Sequence, residues 1–308
     1  MEGLTTQHQG RSLTDLRLAP LETDDHEKQF VCLLNQAFRV PKGRSFLDDF
    51  PIWSSSMAKM AQSRKIGIFH QSQLVAAVGI RFADLKIEGS RLPIGLIGGV
   101  VTDPLWRGIG LASRLIQQAT QLAKNFEVAG IFLWGSEHSF YKKLGFESFG
   151  SQARANLDSF PWVNLDPTIQ IRDGWNENIF NFFQQRRIGL SILERDRPWL
   201  KAHRNVQWVW SGEPTRPSAF VCYGKGIDLY GMIHEWGGDP TEVKKILSYL
   251  KKVDSALQII GPESELLTLG FEPSSIARET LCLANILDPS RVTPRVVEQF
   301  WFWGLDSA

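Results

Sequence analysis

Cysteine is scarce in this chain of 308 residues. Its three cysteines, Cys32, Cys222 and Cys282, lie far apart, and no Cys-x-x-Cys pair or Cys/His cluster has zinc-ligand spacing. Each sits in an apolar run, the setting of a buried free thiol in a reducing compartment, so a disulfide scaffold is excluded. No stretch approaches the ~20 apolar residues of a membrane span. The opening residues, M-E-G-L-T-T-Q-H-Q-G-R, lack the apolar centre of a secretory signal. A cytoplasmic protein with no membrane partner is the expectation. Long blocks of one charge are missing too. Net charge is +1 with 22% charged residues, so nucleic acid is not an expected partner, although Arg195 to Trp210 is locally basic and aromatic. The P-loop pattern and the dinucleotide pattern G-x-G-x-x-G are both absent.

What is present centres on Ile97 to Ser113, I-G-G-V-V-T-D-P-L-W-R-G-I-G-L-A-S. The β-branched run Ile97, Val100, Val101, Thr102 predicts a strand end, stopped at Asp103-Pro104 because proline cannot donate to a sheet ladder. Leu111, Ala112, Leu115, Ile116, Ala119, Leu122 and Ala123 recur at helical spacing. Between them stand Arg107, Gly108, Ile109 and Gly110. A helix start leaves backbone N–H groups unpaired at a mildly positive pole, and glycines let a bound group approach. The turn reads as an anion cradle for a phosphate or pyrophosphate, or as an ordinary strand-to-helix connection.

Arg107-x-x-Gly110-x-Ala112 after Val-Val-Thr-Asp-Pro resembles motif A of the GNAT acyltransferase superfamily. A strand, Gly130 to Trp134, and a short helix, Ser136 to Leu144, follow. There Phe140-Tyr141-Lys142-Lys143-Leu144-Gly145-Phe146 resembles motif B, F-Y-x-x-x-G-F. The two motifs span residues 75 to 149, about a quarter of the chain. The resemblance implies an α/β fold with a mixed sheet and acetyl-coenzyme A as co-substrate, without a metal. It implies that the loop N–H groups of Gly108, Ile109, Gly110, Leu111, Ala112 and Ser113, with Arg107, hold the diphosphate. It implies that Val100, Val101 and Thr102 run along the pantetheine arm, and that Tyr141 is the general acid. The acceptor would be a small-molecule or peptide amine.

Elsewhere the periodicities predict a strand over 13–21, a helix over 23–38, a hairpin over 65–81 and a strand over 92–102. After Gly150 come a helix over 177–190, paired strands at 218–223 and 227–236, a helix over 243–253, a strand at 256–260 and a last long strand. The second half echoes the first. Leu144-Gly145-Phe146-Glu147 recurs as Leu269-Gly270-Phe271-Glu272, Gly135-Ser136-Glu137 as Gly261-Pro262-Glu263, and Asp103-Pro104 as Asp239-Pro240. Three landmarks in the same order predict two tandem GNAT-like domains, 1–155 and 156–308. The second copy lacks the Arg-x-x-Gly-x-Ala run and the Phe-Tyr pair, so it is expected to be degenerate and to wall the acceptor pocket.

The expected reaction is direct attack of an amine on the thioester, with Tyr141 protonating the departing thiolate; a non-catalytic acyl-coenzyme A sensor is the alternative. For the base, Glu137 and His138 stand four and three residues before Tyr141, and ordered water is a third route. The tail, Phe300-Trp301-Phe302-Trp303, reads either as a plug or edge strand on the sheet, or as a segment folded back to line the acceptor cavity. Oligomeric state has no signature here.

Overall fold

A computed structural model describes residues 15–58, 62–87, 89–163, 170–226 and 228–307. The polar start at 1–12, the first two residues of the strand expected at 13–21, and Ile169 and Ile227 fall outside them. The first half runs β1 (Leu16–Pro20), α1 (Asp24–Ala37), α2 (Ser55–Ala58), β2 (Ser63–His70), β3 (Gln73–Ile87), β4 (Ser90–Thr102), α3 (Leu111–Asn125), β5 (Gly130–Leu133), α4 (His138–Lys142) and β6 (Glu147–Asn156). The second runs β7 (Ile171–Asp173), α5 (Phe180–Gln185), β8 (Ile188–Leu190), α6 (Arg197–Lys201), β9 (Gln207–Glu213), β10 (Arg216–Tyr223), β11 (Met232–Gly238), α7 (Pro240–Val253), β12 (Gln258–Gly261), α8 (Glu263–Leu269), β13 (Ala277–Ile286) and α9 (Pro294–Glu298). Short 3₁₀ turns fill several connections, among them Phe46–Asp48 and Pro51–Trp53 in the first half.

The strands join one mixed sheet in the order β1-β2-β3-β4-β5-β13-β6-β12-β11-β10-β9-β7, with β8 pairing β3 off this path. Read from either edge the pairing is the same: three antiparallel steps, one parallel step, then two antiparallel steps that meet at β13–β6. Each half gives away its last strand. β6 lies between β13 and β12, and β13 lies between β5 and β6.

The long apolar stretch Leu74 to Phe82 is buried residue by residue because β3 is covered on both faces. On one face lies α3, whose Leu111, Leu115, Ile116, Ala119 and Ala123 pack with Ile97, Ile131, Leu133, Trp106 and Tyr141. The other face carries α1 through Phe30 and Leu34, together with Val101, Phe132 and the C-terminal residues Phe300 to Trp303 and Leu305. The tail is thus a buried plug on the sheet face opposite α3.

Three expectations fail. Of the three cysteines expected to be buried, Cys222 and Cys282 are, but Cys32 lies exposed on α1. The helix expected over 177–190 stops at Gln185, and Ile188–Leu190 is a strand against Leu85–Ile87 of β3. The reason is Arg186, which turns to extended backbone (φ −58°, ψ 141°) as its guanidinium reaches Glu235 and Asp306. The turn expected at 224–226 is longer, because β11 begins only at Met232.

Candidate active site

The site begins with a defect in β4. Ala77 pairs with Val101 and Gly79 with Gly98, so one residue of β3 faces two of β4, Gly99 and Val100. Gly99 has φ +60°, a conformation that glycine adopts without cost, and a bulge bends the strand there. α1 fits into the bend: a Cβ on Gly99 would sit 3.1 Å from the Phe30 ring and 3.4 Å from Leu34. Beyond the bend β4 leaves its parallel neighbour. The β4–β5 ladder contains only Gly95↔Ile131 and Leu96↔Phe132. Residues 97–102 therefore have no strand partner on the β5 side among the described residues, and their backbone edge faces a cleft.

Asp103 closes the strand: its N–H donates to Val75 O (2.9 Å) and its carboxylate accepts from Leu105 N (2.8 Å). Arg107 is exposed and donates Nε to Thr102 O (3.3 Å), tying the loop back to the strand end. Gly108 and Gly110 hold φ +82° and +85°, and a Cβ at either would meet nothing within 4 Å. Ile109 packs partly into the α3-side core while Gly108 and Gly110 stay exposed. Gly110 is the N-cap of α3 and offers no side-chain cap, and no acidic residue occupies the first turn. The first N–H groups of Leu111, Ala112 and Ser113 thus have no side-chain cap at the positive end of the helix.

Tyr141 is 8% exposed and packs with Trp106, Leu111 and Leu133, so the loop, the helix start and the phenol share one apolar cluster. A Cβ on Gly135 would lie 2.8 Å from its ring. Its hydroxyl makes no hydrogen bond to a described residue. Burial first, and the nearby Glu137 carboxylate second, push its pKa above the ordinary phenol value. Glu137 is the exposed N-cap of α4, and His138 is exposed beside it. Val100 packs toward the α3 face and Val101 toward the α1 face, leaving their backbone to the cleft. The structure therefore brings the strand end, the glycine loop, the helix start and Tyr141 together. It gives neither Glu137 nor His138 a side-chain hydrogen bond that would mark it as a base.

Reading the sequence alone missed the bulge, although Gly98-Gly99 inside an apolar strand is the signal for one. It also missed the tail's anchorage. Asp306, fully buried, accepts from Leu190 N (3.0 Å) and Trp303 N (3.1 Å) and pairs with Arg186, which donates to Glu235 at 2.7 Å. Lys225 Nζ donates to Gly304 O (2.9 Å) and to Ser307 Oγ (2.7 Å). It lies 4.4 Å from the centre of the Phe50 ring. Burial pulls its pKa down to about 7 against the upward pull of Asp228 and Asp49.

The corresponding junction of the second half is built differently. β11 and β12 also share two pairs, Met232↔Gln258 and Ile233↔Ile259, before parting. But Asp239 caps α7, accepting from Thr241 N (2.8 Å) and Glu242 N (3.1 Å). A Cβ on Gly238 would strike Ser218 O at 2.3 Å, and one on Gly261 would strike the Trp236 ring at 2.3 Å. Gly238 is packed against its neighbour β10, and the Trp236 indole of β11 covers Gly261 of β12 where those two strands part. Among the described residues no group of three His, Cys, Asp or Glu side chains could hold a metal, and no helix is long and apolar enough to cross a membrane.

Residues 19–149 match the family model described as an acetyltransferase (GNAT) domain. Glucosamine 6-phosphate N-acetyltransferase of Trypanosoma brucei brucei is 29% identical over 155 residues, 47% of this chain and 98% of that protein. A probable N-acyltransferase of Enterococcus faecalis is similar in structure, with a TM-score of 0.65 at 18% identity over 90% of this chain and 74% of that one. A putative acetyltransferase of Pyrococcus horikoshii superposes with a TM-score of 0.58 at 17% identity over 98% of this chain and 99% of that one. At these identities the solved structures share the fold, and they share it across both halves. The segment 19–149, with its bulged strand, glycine turn and uncapped helix, is thus the part of the chain that is similar to the GNAT acetyltransferase domain.

Proposed function

We propose that this protein transfers an acetyl group from acetyl-coenzyme A to a primary amine at one site, in the first half of the chain. The observation that carries the reading is the contrast between two similar junctions. One helix start is left uncapped beside open glycines and an unpaired strand edge; the other is capped beside packed glycines. Unpaired N–H groups at a helix start favour a diphosphate, and an unpaired strand edge favours an amide-bearing arm such as pantetheine. The residues present fit the donor.

Bound there, acetyl-coenzyme A would supply a thioester as the acyl donor. The N–H groups of residues 108–113, with Arg107, would hold its diphosphate, and the backbone of Val100, Val101 and Thr102 its arm. Tyr141 keeps a proton on its hydroxyl throughout the neutral range because burial raises its pKa, which suits it to protonate a leaving thiolate. Glu137, His138 or water would take the amine proton.

We further propose two tandem units, residues 1–155 and 156–308, the second without a donor site. The palindromic strand order and the repeated Leu-Gly-Phe-Glu landmarks support this. The named acceptor of the trypanosomal relative, glucosamine 6-phosphate, is the first comparison acceptor for this chain. Isothermal calorimetry with acetyl-coenzyme A tests the donor site: wild type should bind, and Gly110→Glu should lose binding while staying folded, because a carboxylate then fills the anion cradle. Absence of wild-type binding at millimolar donor would overturn the reading. Thiol release on adding amines separates an enzyme from a sensor.

A further inference from the structure

The sheet has a donor face and an opposite face, and the cleft beyond the β4–β5 ladder joins them. α3, the glycine loop and Tyr141 lie on the first face. An amine attacking a thioester held from that side must come from the other. Side chains of β5 alternate: Ile131 and Leu133 point to the α3 side and Phe132 to the opposite side. Trp134, one residue past the strand, continues the alternation, and its ring meets Phe302 edge-to-face at 5.2 Å. It follows the last β4–β5 pair by two residues and precedes Gly135, where a Cβ would lie 2.8 Å from the Tyr141 ring.

Trp134 is 37% exposed, whereas Phe300 and Phe302 behind it are 3% exposed. Phe300 packs tilted against Phe132 at 4.7 Å, and Phe302 meets it edge-to-face at 5.7 Å. This backing is fixed by the buried ion pairs of Arg186 with Asp306 and Glu235 and by Lys225 on Gly304 O and Ser307 Oγ. The Arg186 guanidinium and the Lys225 amine are both engaged by these partners, so neither is free to meet an anionic acceptor. Beside the parted strands stands a half-open indole on an aromatic support.

Resting on the acyltransferase reading, we propose that Trp134 is the acceptor-contacting residue of the site, held in place by Phe302 of the tail. The acceptor is then an amine whose flat apolar group packs on the indole. Ring packing of this kind gives about a tenfold preference over a small polar amine.

The test measures thiol release at saturating acetyl-coenzyme A with 2-phenylethylamine, ethanolamine and glucosamine 6-phosphate, beside calorimetry of the donor. Wild type should favour 2-phenylethylamine over ethanolamine by about tenfold in kcat/KM. Trp134→Ala and Phe302→Ala should raise KM for 2-phenylethylamine by about tenfold, with acetyl-coenzyme A affinity unchanged. Phe302→Leu, which keeps apolar support, should restore most of it. Equal kcat/KM for the two amines, a preference for glucosamine 6-phosphate, no turnover of 2-phenylethylamine, or an unmoved KM in Trp134→Ala would each overturn the proposal. A wild type that fails to bind acetyl-coenzyme A would instead overturn the acyltransferase reading beneath it.

Discussion

The acid role proposed for Tyr141 rests on its surroundings as much as on its motif. A phenol on a short helix is usually a packing residue, and this one does pack, with only its hydroxyl free of protein partners. Burial and the Glu137 charge both hold the proton on. Removing the hydroxyl leaves the ring contacts with Phe140 and Phe146 intact. Tyr141→Phe should therefore fold as wild type and bind acetyl-coenzyme A normally, but lose about a hundredfold in kcat. A wild-type kcat in steady-state assays would remove the acid role. The placement of Tyr141 on a short helix was readable from F-Y-x-x-x-G-F, and so was the strand–glycine turn–helix order before it. Arg186 was not, because its partners stand 49 and 120 residues away.

Among elements, α3 and α7 differ at the N-cap: one start is left uncapped by Gly110 and the other is capped by Asp239. Asp239 satisfies two N–H groups of α7, and Asp239→Ala should cost about 1 kcal/mol in denaturant melts without altering acetyl-coenzyme A affinity. α3 forgoes that gain at Gly110. Elements set by local pattern were legible: α1, α3, α7 and the β2–β3 hairpin appear within a few residues of where periodicity puts them. Elements set by distant partners were not. β8 exists because Leu85–Ile87 of β3 lacks β2 as a neighbour there, and a three-residue strand has too little sequence to announce itself. β9 begins at the end of the run from Arg195 to Trp210 and continues past it; Trp208, Val209, Trp210 and Ser211 are all buried, so the alternation of a half-exposed strand is lost.

At the scale of the whole molecule, the buried charges behind the tail make stability depend on pH. Lys225 has its pKa lowered from 10.5 to about 7 by burial. Between those values the unfolded chain binds a proton that the folded chain does not. Unfolding then takes up protons, so this group makes the fold more stable as pH rises from about 7 toward 10.5. Below about 7 both states are charged, and the desolvation cost is borne in full. Burial lowers His234 to about 4 and His203 well below its ordinary value, which has the same sign at lower pH: stability falls as pH drops through about 6.5 toward 4. Chemical melts at pH 7 and pH 9 should show wild type gaining more stability than Lys225→Met. Equal gains would show that Lys225 is not the group responsible.

The exchange of last strands has a consequence for how the molecule comes into being. β5 receives its outer neighbour from residues 283–286, so a ribosome that has finished the first half has made a sheet whose open edge must wait for more than a hundred further residues. β6, already made, pairs only with strands not yet synthesised, β12 and β13. Folding on the ribosome is thus tied to completion of the chain, and a nascent or truncated first half presents bare β edges to chaperones and to its own copies. The joint that unites the two halves in the finished protein is, during synthesis, its longest exposure.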